Sequence, residues 1–244
     1  MSGLFITIEG IEGCGKSTQI RLLKSHLESR GRVVEVTREP GGTPIAEAIR
    51  AILLDPANSA LSPTTELLLY EAARAQHVDE RIRPALEAGN VVLCDRYADS
   101  TTAYQGAARG LPAASVDALH TIATRGTWPR LTIVIDVPVE VGLRRAGHRG
   151  ASDRIELEPV EFHERVRAEF LQLAEREPDR VKVVNGVESE NAVAEVINCL
   201  VDAVLEEPNS KRTYVLGSRR RRKTPRGARN GQGGQLRERD RRRL

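Results

Sequence analysis

The residues with the clearest chemistry are Gly10-Ile11-Glu12-Gly13-Cys14-Gly15-Lys16-Ser17, which fill the pattern G-x-x-x-x-G-K-[ST]. Glycines let backbone N–H groups turn inward around phosphate oxygens, and a helix starting at the loop's end adds its positive dipole. In this pattern Lys16 reaches terminal phosphates and the Ser17 hydroxyl ligates Mg²⁺. The loop through Thr18 therefore reads as a nucleoside triphosphate site. A chance glycine-rich turn is the bland alternative. Context weighs against it, because the apolar run Leu4–Ile8 precedes the loop and an amphipathic stretch follows. Cys14 reads as a small residue filling a tight loop, although a helix N-terminus can activate a thiol.

A second set of residues could hold an anionic acceptor. Arg38, Arg74 and Arg96 carry guanidinium forks suited to phosphate oxygens. Glu12 sits inside the loop, and Glu39 and Asp95 follow apolar runs. Asp95 is the better candidate for supporting Mg²⁺, through water, because a carboxylate beside a triphosphate needs a bridging cation. Its bland alternative is an ion pair with a neighbouring arginine. The segment Arg144-Arg145-Ala146-Gly147-His148-Arg149-Gly150-Ala151-Ser152-Asp153-Arg154 is rich in guanidinium and small residues. A closing segment of this kind can bring arginine to the charge that develops in phosphoryl transfer; a solvated basic loop is the default, and His148 reads as exposed.

These residues need elements to position them. Leu4–Ile8, Val33–Val36, Val91–Cys94, Leu131–Ile135 and Val181–Val184 read as buried strands. Helical spacing runs over 16–29, 45–54, 65–87, 116–124, 139–145, 161–175 and 192–205, with Gly31 stopping the first helix and Pro84 near the end of the third. Strands alternating with helices predict a three-layer α/β fold with a five-stranded parallel sheet flanked by helices. In such sheets ligands collect beyond the carboxyl ends of the strands, where the Gly10 loop, Arg38, Asp95 and Arg96 fall. There is no N-K-x-D element for guanine, and Asp136 stands without the second acid of a motor ATPase.

Taken in order, Thr37-Arg38-Glu39-Pro40-Gly41-Gly42, Asp95-Arg96-Tyr97, Ala103-Tyr104-Gln105-Gly106 and Asp153-Arg154-Ile155-Glu156 resemble thymidylate kinases, P-loop nucleoside monophosphate kinases, over about residues 3–205. The resemblance implies a P-loop NTPase fold with a mobile lid over about 144–154, and transfer of the ATP γ-phosphoryl group to dTMP with Mg²⁺. It implies that Arg38 and Arg96 hold the acceptor phosphate, that Arg74 meets the pyrimidine edge and that Tyr70 stacks on the base, where the family often has Phe. It makes Ser100, Thr101 and Gln105 base readers, sets Tyr104 against a ribose 2′-OH, and puts the acid at Glu12 on the 3′-OH. Some members of this family carry a base inside the phosphate loop and others use lid arginines. Here positions 11–14 hold no base, which points to Arg149 first, with Arg145 and Arg154 free to contact adenine or phosphate instead. Similar proteins are homodimers through helices of the body. Another nucleoside monophosphate, or a nucleoside, is the alternative acceptor.

Of 37 Lys/Arg and 34 Asp/Glu, residues 208–244 hold 14 and 2, leaving 23 basic and 32 acidic groups in 1–207. An acidic body does not suit a nucleic-acid-binding domain. The Arg-rich tail has too few apolar residues for packing and reads as a disordered accessory able to bind polyanions. Aromatics make up 3% of the chain, so the core is expected to be aliphatic. No apolar run suits a membrane span, MSGLFITIEG has no basic region before its apolar stretch, and three unpaired cysteines fit a reducing setting, so the expected location is cytoplasmic.

Overall fold

The computed structural model describes residues 3–147 and 153–206. Arg149 and the basic tail lie outside the described residues. The strands are β1 (Leu4–Glu9), β2 (Val34–Arg38), β3 (Val91–Asp95), β4 (Leu131–Asp136) and β5 (Val181–Asn185). They form one parallel sheet in the order β2-β3-β1-β4-β5. Every residue of β1 is buried, as are the first four of β3 and five of the six in β4. Such near-continuous apolar strands are what a sheet covered on both faces requires.

Helices α1 (Lys16–Ser29), α2 (Pro44–Leu54), α3 (Pro63–His77), α4 (Arg83–Glu87), α5 (Ala98–Thr101), α6 (Ala113–Thr124), α7 (Val139–Gly147), α8 (Val160–Arg176) and α9 (Glu190–Glu206) complete the described elements, with a 3₁₀ turn at Pro56–Asn58 and turns of π-helix at Val78–Ile82 and Thr102–Ala108. The apolar stripe of α8, Phe162, Val166, Phe170 and Leu173, is buried in the main core with Ile20, Leu23 and Leu27 of α1. Each of these side chains contributes about 1.5–3 kcal/mol by leaving water.

The helix expected over 65–87 is one path in three parts. Pro84 has no N–H to give residue 80, and its ring crowds that carbonyl. The wider turn at Val78–Ile82 absorbs the mismatch just before it. Ser62 caps the start by accepting from Thr65 N, with Pro63 at the first helical position, which sets the helix two residues earlier than its periodicity suggests.

The chain lays β2 and β3 on one side of β1, then crosses to lay β4 and β5 on the other. The carboxyl end of β1 is thus where strand order reverses, the usual place for a ligand. Register puts Ile8 beside Asp95 and Asp95 beside Arg38, so the residues leaving three adjacent strands start level with one another.

Candidate active site

The loop from Gly10 to Gly15 joins β1 to α1 and turns through left-handed backbone at Gly10, Gly13 and Gly15. Glycine is required at two of these positions by close approach as well as by conformation. A Cβ on Gly10 would lie 2.5 Å from Ile135 O and 2.8 Å from Cys14 Sγ; one on Gly13 would lie 2.0 Å from Gly142 O of α7. The Cys14 side chain is buried and fills the loop's underside. No side chain caps α1, so its first N–H groups are left for a ligand. The Lys16 ammonium donates to Gly10 O at 3.2 Å and Ile11 O at 2.9 Å. Residues 12–18 of the loop and α1 line a cleft of about 640 Å³, whereas Gly10 and Ile11 do not line it.

The same cleft is lined by Arg38, Tyr70, Arg74, Asp95, Arg96, Ser100, Thr101, Tyr104, Gln105 and Arg145. Most of the acceptor set comes from 96–105, where the sequence shows no apolar period. This segment forms α5 and a π-turn, and Ala98, Asp99, Ser100 and Thr101 are all buried. Its inward face is polar because it packs on charged groups: Asp99 accepts from Arg180 through both oxygens, at 2.7 and 2.8 Å, and from the Thr132 hydroxyl at 2.9 Å. That buried pair pins the start of α5 to the sheet.

Arg96 has φ 71°, a left-handed conformation uncommon outside glycine. Its guanidinium donates to Gly10 O at 2.9 Å, Ser100 Oγ at 3.1 Å and Glu12 Oε1 at 2.9 Å, and lies 4.9 Å from the Tyr104 ring centroid. Tyr104 Oη donates to the same Glu12 oxygen at 2.6 Å, and His163 Nδ1 donates to Oε2 at 3.1 Å. Burial works against a charge on Glu12, but Arg96, His163, Lys16 and Tyr104 outweigh it and hold the carboxyl below the usual carboxylate range. Ser100 differs from a simple base reader: its hydroxyl is spent between Arg96 and Glu9 Oε2, the latter at 2.6 Å. Glu9, the fully buried last residue of β1, also accepts Tyr97 N–H at 2.7 Å. Burial, reinforced by the nearby Asp99 charge, pushes its carboxyl up to about 8.

Arg74 is buried on the cleft floor. Its Nε donates to Glu39 at 2.8 Å, one terminal nitrogen to Glu71, and the other to Thr101 Oγ1 at 2.9 Å. His77 supports Glu39 at 3.0 Å and donates or accepts with Thr37 at 2.6 Å. Burial opposes the Arg74 charge, while Glu39 and Glu71 hold it in place. Gln105 Nε2 donates to Glu66 at 2.8 Å. Tyr70 forms part of the wall; its hydroxyl has no hydrogen-bond partner among the described residues, and burial raises its pKa. Arg38 stands at the exposed rim and donates to both oxygens of Glu47, at 2.9 and 3.0 Å. Arg50, which the motifs do not reveal, also lines the cleft and donates to Pro40 O at 2.7 Å.

Asp95 carries no ion pair among the described residues, so the bland alternative for it fails. Ser17 and Asp95 line the cleft together, and no protein donor or acceptor engages either side chain among the described residues. One hydroxyl and one carboxylate, open to solvent and phosphates, suit a hard cation that keeps most of its waters. Arg145 lines the cleft and donates to Gly186 O at 3.3 Å. Arg154 corrects the reading of it as a lid group: its Nε donates to Leu53 O at 2.8 Å and it pairs with Glu66 at 2.6 Å, away from the cleft. Asp136 pairs with Arg167 through two bonds, at 2.7 and 2.8 Å.

The sequence motifs do not reveal Glu9, Glu66, Glu71 or His163. Only Glu9 leaves a trace, as an acid ending an apolar run; the others sit inside helical stretches that look like ordinary amphipathic surface until packed.

A P-loop at the switch point of a β2-β3-β1-β4-β5 sheet, facing a second pocket lined with arginine, defines a P-loop phosphotransferase class of protein. The thymidylate kinase family model matches residues 8–197. The chain is 55% identical over 211 residues to the thymidylate kinase of Geotalea uraniireducens, covering 84% of this chain and 99% of that one. It is 49% identical over 208 residues to that of Alcanivorax borkumensis, covering 85% and 100%. The crystal structure of the Ehrlichia chaffeensis thymidylate kinase is similar, with TM-score 0.67, 34% identity and coverage of 82% of this chain and 100% of that one. The chain belongs to the thymidylate kinase family.

Proposed function

We propose that the chain transfers the γ-phosphoryl group of ATP to dTMP, giving dTDP and ADP. The observation that carries this is Arg96, which donates at once to Gly10 O and Glu12 of the donor loop while lining the acceptor side of the cleft. A phosphate oxygen of the acceptor attacks the γ-phosphorus in line, the bond to the β,γ-bridging oxygen breaks, and ADP leaves with that electron pair. No residue need form a covalent intermediate; the protein's work is positioning and neutralising charge.

The donor loop, through Thr18, holds the triphosphate, with Lys16 released from the Gly10 and Ile11 carbonyls onto phosphate oxygens. Arg96 and Arg38 take the acceptor phosphate, Arg38 by leaving Glu47. Tyr70 stacks on the base, with Arg74, Thr101 and Gln105 at its polar edge; Ser100 serves through Arg96. Tyr104 crowds the sugar. Ser17 and Asp95 would hold Mg²⁺, which neutralises and orients phosphate oxygens when bound. Arg149 supplies lid charge and Arg145 meets the nucleotide from α7.

The body helices carry an apolar face: Ile45 and Ile52 of α2, Leu68 of α3 and Ile122 of α6 are 55%, 46%, 50% and 69% exposed, on helices that pack side by side. This supports a homodimer, to be read from mass in solution by light scattering. The free cysteines support a cytoplasmic location. The 208–244 tail is an accessory that can hold polyanions, and its removal leaves turnover intact.

Coupled ADP release with dTMP, dUMP, UMP, dCMP, AMP and thymidine tests the proposal. It stands if dTMP is the preferred acceptor. It fails if dTMP accelerates ADP release no more than buffer, and another preferred acceptor would move the chain to a different monophosphate kinase activity.

A further inference from the structure

Glu66, on the first turn of α3, is fully buried and does not itself line the nucleotide cleft. Its carboxylate collects donors from three directions. Oε1 accepts from Gln105 Nε2 at 2.8 Å and Arg109 Nε at 3.1 Å; Oε2 accepts from the other end of the Arg109 fork at 3.1 Å and pairs with Arg154 at 2.6 Å. Burial opposes its charge, but Arg109, Gln105 and Arg154 together hold the carboxyl below its ordinary range. An ionised carboxylate only accepts hydrogen bonds. Of the two ends of the Gln105 amide, only the NH₂ end can face it.

The amide is planar, so its carbonyl oxygen is turned the other way. Gln105 lines the cleft, and its Oε1 has no partner among the described residues. Across the same cleft floor, Arg74 offers donors alone, locked by Glu39, Glu71 and Thr101. The pocket therefore presents one donor-only group and one fixed acceptor to the base edge. A pyrimidine with a 4-oxo group and an N3–H matches this pair. Cytosine inverts it, setting an amine against the Arg74 donors and an N3 lone pair against the Gln105 oxygen. A glutamine with no anchor could rotate its amide end for end and satisfy that inverted edge. Rotation here would turn the carbonyl onto a buried carboxylate.

We infer that Glu66 is a specificity-determining positioning residue: by engaging Gln105 Nε2 it holds the Gln105 carbonyl toward the acceptor base and selects a pyrimidine that carries N3–H. The inference rests on the acceptor reading given under Proposed function. Sites that hydrogen-bond a substrate group reject analogues lacking it because their own buried polar groups are left unpaired.

The test compares kcat/KM for dTMP, dUMP and dCMP in the wild type and in Glu66→Gln, which can offer Gln105 either a donor or an acceptor. The wild type should prefer dTMP over dCMP by on the order of 10⁴-fold. In Glu66→Gln that preference should fall about tenfold or more, with dCMP turnover rising in absolute terms, consistent with one re-paired hydrogen bond. The dTMP to dUMP ratio should not move, because both share the N3–H and 4-oxo edge. A folded variant that keeps its dCMP discrimination, or that loses dTMP and dCMP turnover in equal proportion, overturns the inference. If Glu66→Gln does not fold, the wild-type Gln105 side-chain amide signal, identified by its loss in Gln105→Met, decides. Its NH₂ protons should stay hydrogen-bonded and unshifted on adding dTMP; a large dTMP-induced shift places nitrogen toward the base and overturns it. A wild type inactive on every acceptor would refute the acceptor reading; an active wild type with an unchanged variant refutes only the role of Glu66.

Discussion

Tyr104 Oη donates to Glu12 Oε1 at 2.6 Å, and Arg96 donates to the same oxygen at 2.9 Å. A residue of the glycine-rich loop is thereby bonded to two residues of the facing cleft wall, so in the proposed reading donor and acceptor sites are coupled through one carboxylate oxygen. His163 closes the arrangement from α8.

Arg96→Ala should cut kcat/KM for dTMP by about 10²-fold or more, the scale expected when a charge-assisted bond to an anion is removed from a dry site. Arg96→Lys should recover only part, since an ammonium cannot span Gly10, Ser100 and Glu12 together. The alanine variant also removes the leading counter-charge of Glu12. Its carboxyl should then titrate at higher pH, so the acid limb of the activity profile shifts upward. A profile unchanged in position would disconnect Glu12 from Arg96.

Tyr104→Phe keeps the ring beneath Arg96 and its edge packing on Phe162 and Phe170, removing only the bond to Glu12. Stability should drop by about 1 kcal/mol. The ratio of dTMP to the ribose analogue should hold in Tyr104→Phe and fall in Tyr104→Ala, because crowding of a 2′-OH comes from the ring. An equal fall in both variants assigns sugar discrimination to the hydroxyl.

Glu9 gives a stability trend opposite to that of ordinary acids. With its folded pKa near 8 against 4.5 as the reference, the native state binds the extra proton between those values. Stability contributed by Glu9 is complete below pH 4.5 and declines as pH rises toward 8, by up to a few kcal/mol. Glu9→Gln mimics the neutral acid and should flatten this slope in urea melts across pH 5–8. A slope equal to wild type would mean Glu9 is ionised in the native protein.

Asp99→Ala removes both bonds to the buried end of the Arg180 guanidinium, leaving it Glu177 at 2.9 Å and Thr132 at 2.7 Å, and should cost up to about 3–5 kcal/mol. Replacing both partners with apolar residues should recover much of that in the same melts. If the double variant is no better than the single, the loss comes from repacking α5 rather than from the charge that Asp99 had balanced.

Asp95→Asn should raise the Mg²⁺ concentration needed for half-maximal turnover while leaving the far-UV spectrum and melting temperature unchanged, since cation binding rests on exposed or half-buried groups rather than the core. EDTA should abolish turnover reversibly. Loss of structure on chelation would make the metal structural.

The sheet was legible because strands buried on both faces must be largely apolar, and β1, β3 and β4 are, apart from one threonine in each of β1 and β4 and the acid that ends each strand. The loop was legible because phosphate cradling restricts both its glycines and its lysine. Legibility failed at Ala98–Ala108, a helical segment whose buried face is polar because its partners are Glu9, Arg180 and Glu66, residues distant in sequence. It failed also at Arg154, whose motif position suggested the lid while its guanidinium is tied to Leu53 and Glu66 of the body. Residues that act through others, such as Glu66 on Gln105 and His163 on Glu12, have no local pattern because their meaning is a bond across 39 and 151 positions.

The central claim is that one cleft holds donor and acceptor for direct transfer, and γ-labelled ATP tests it most directly. Label should pass to the terminal phosphate of dTDP only when dTMP is present, with none retained on the protein. Label bound covalently to the protein, or ADP formed at the same rate without dTMP, would contradict it.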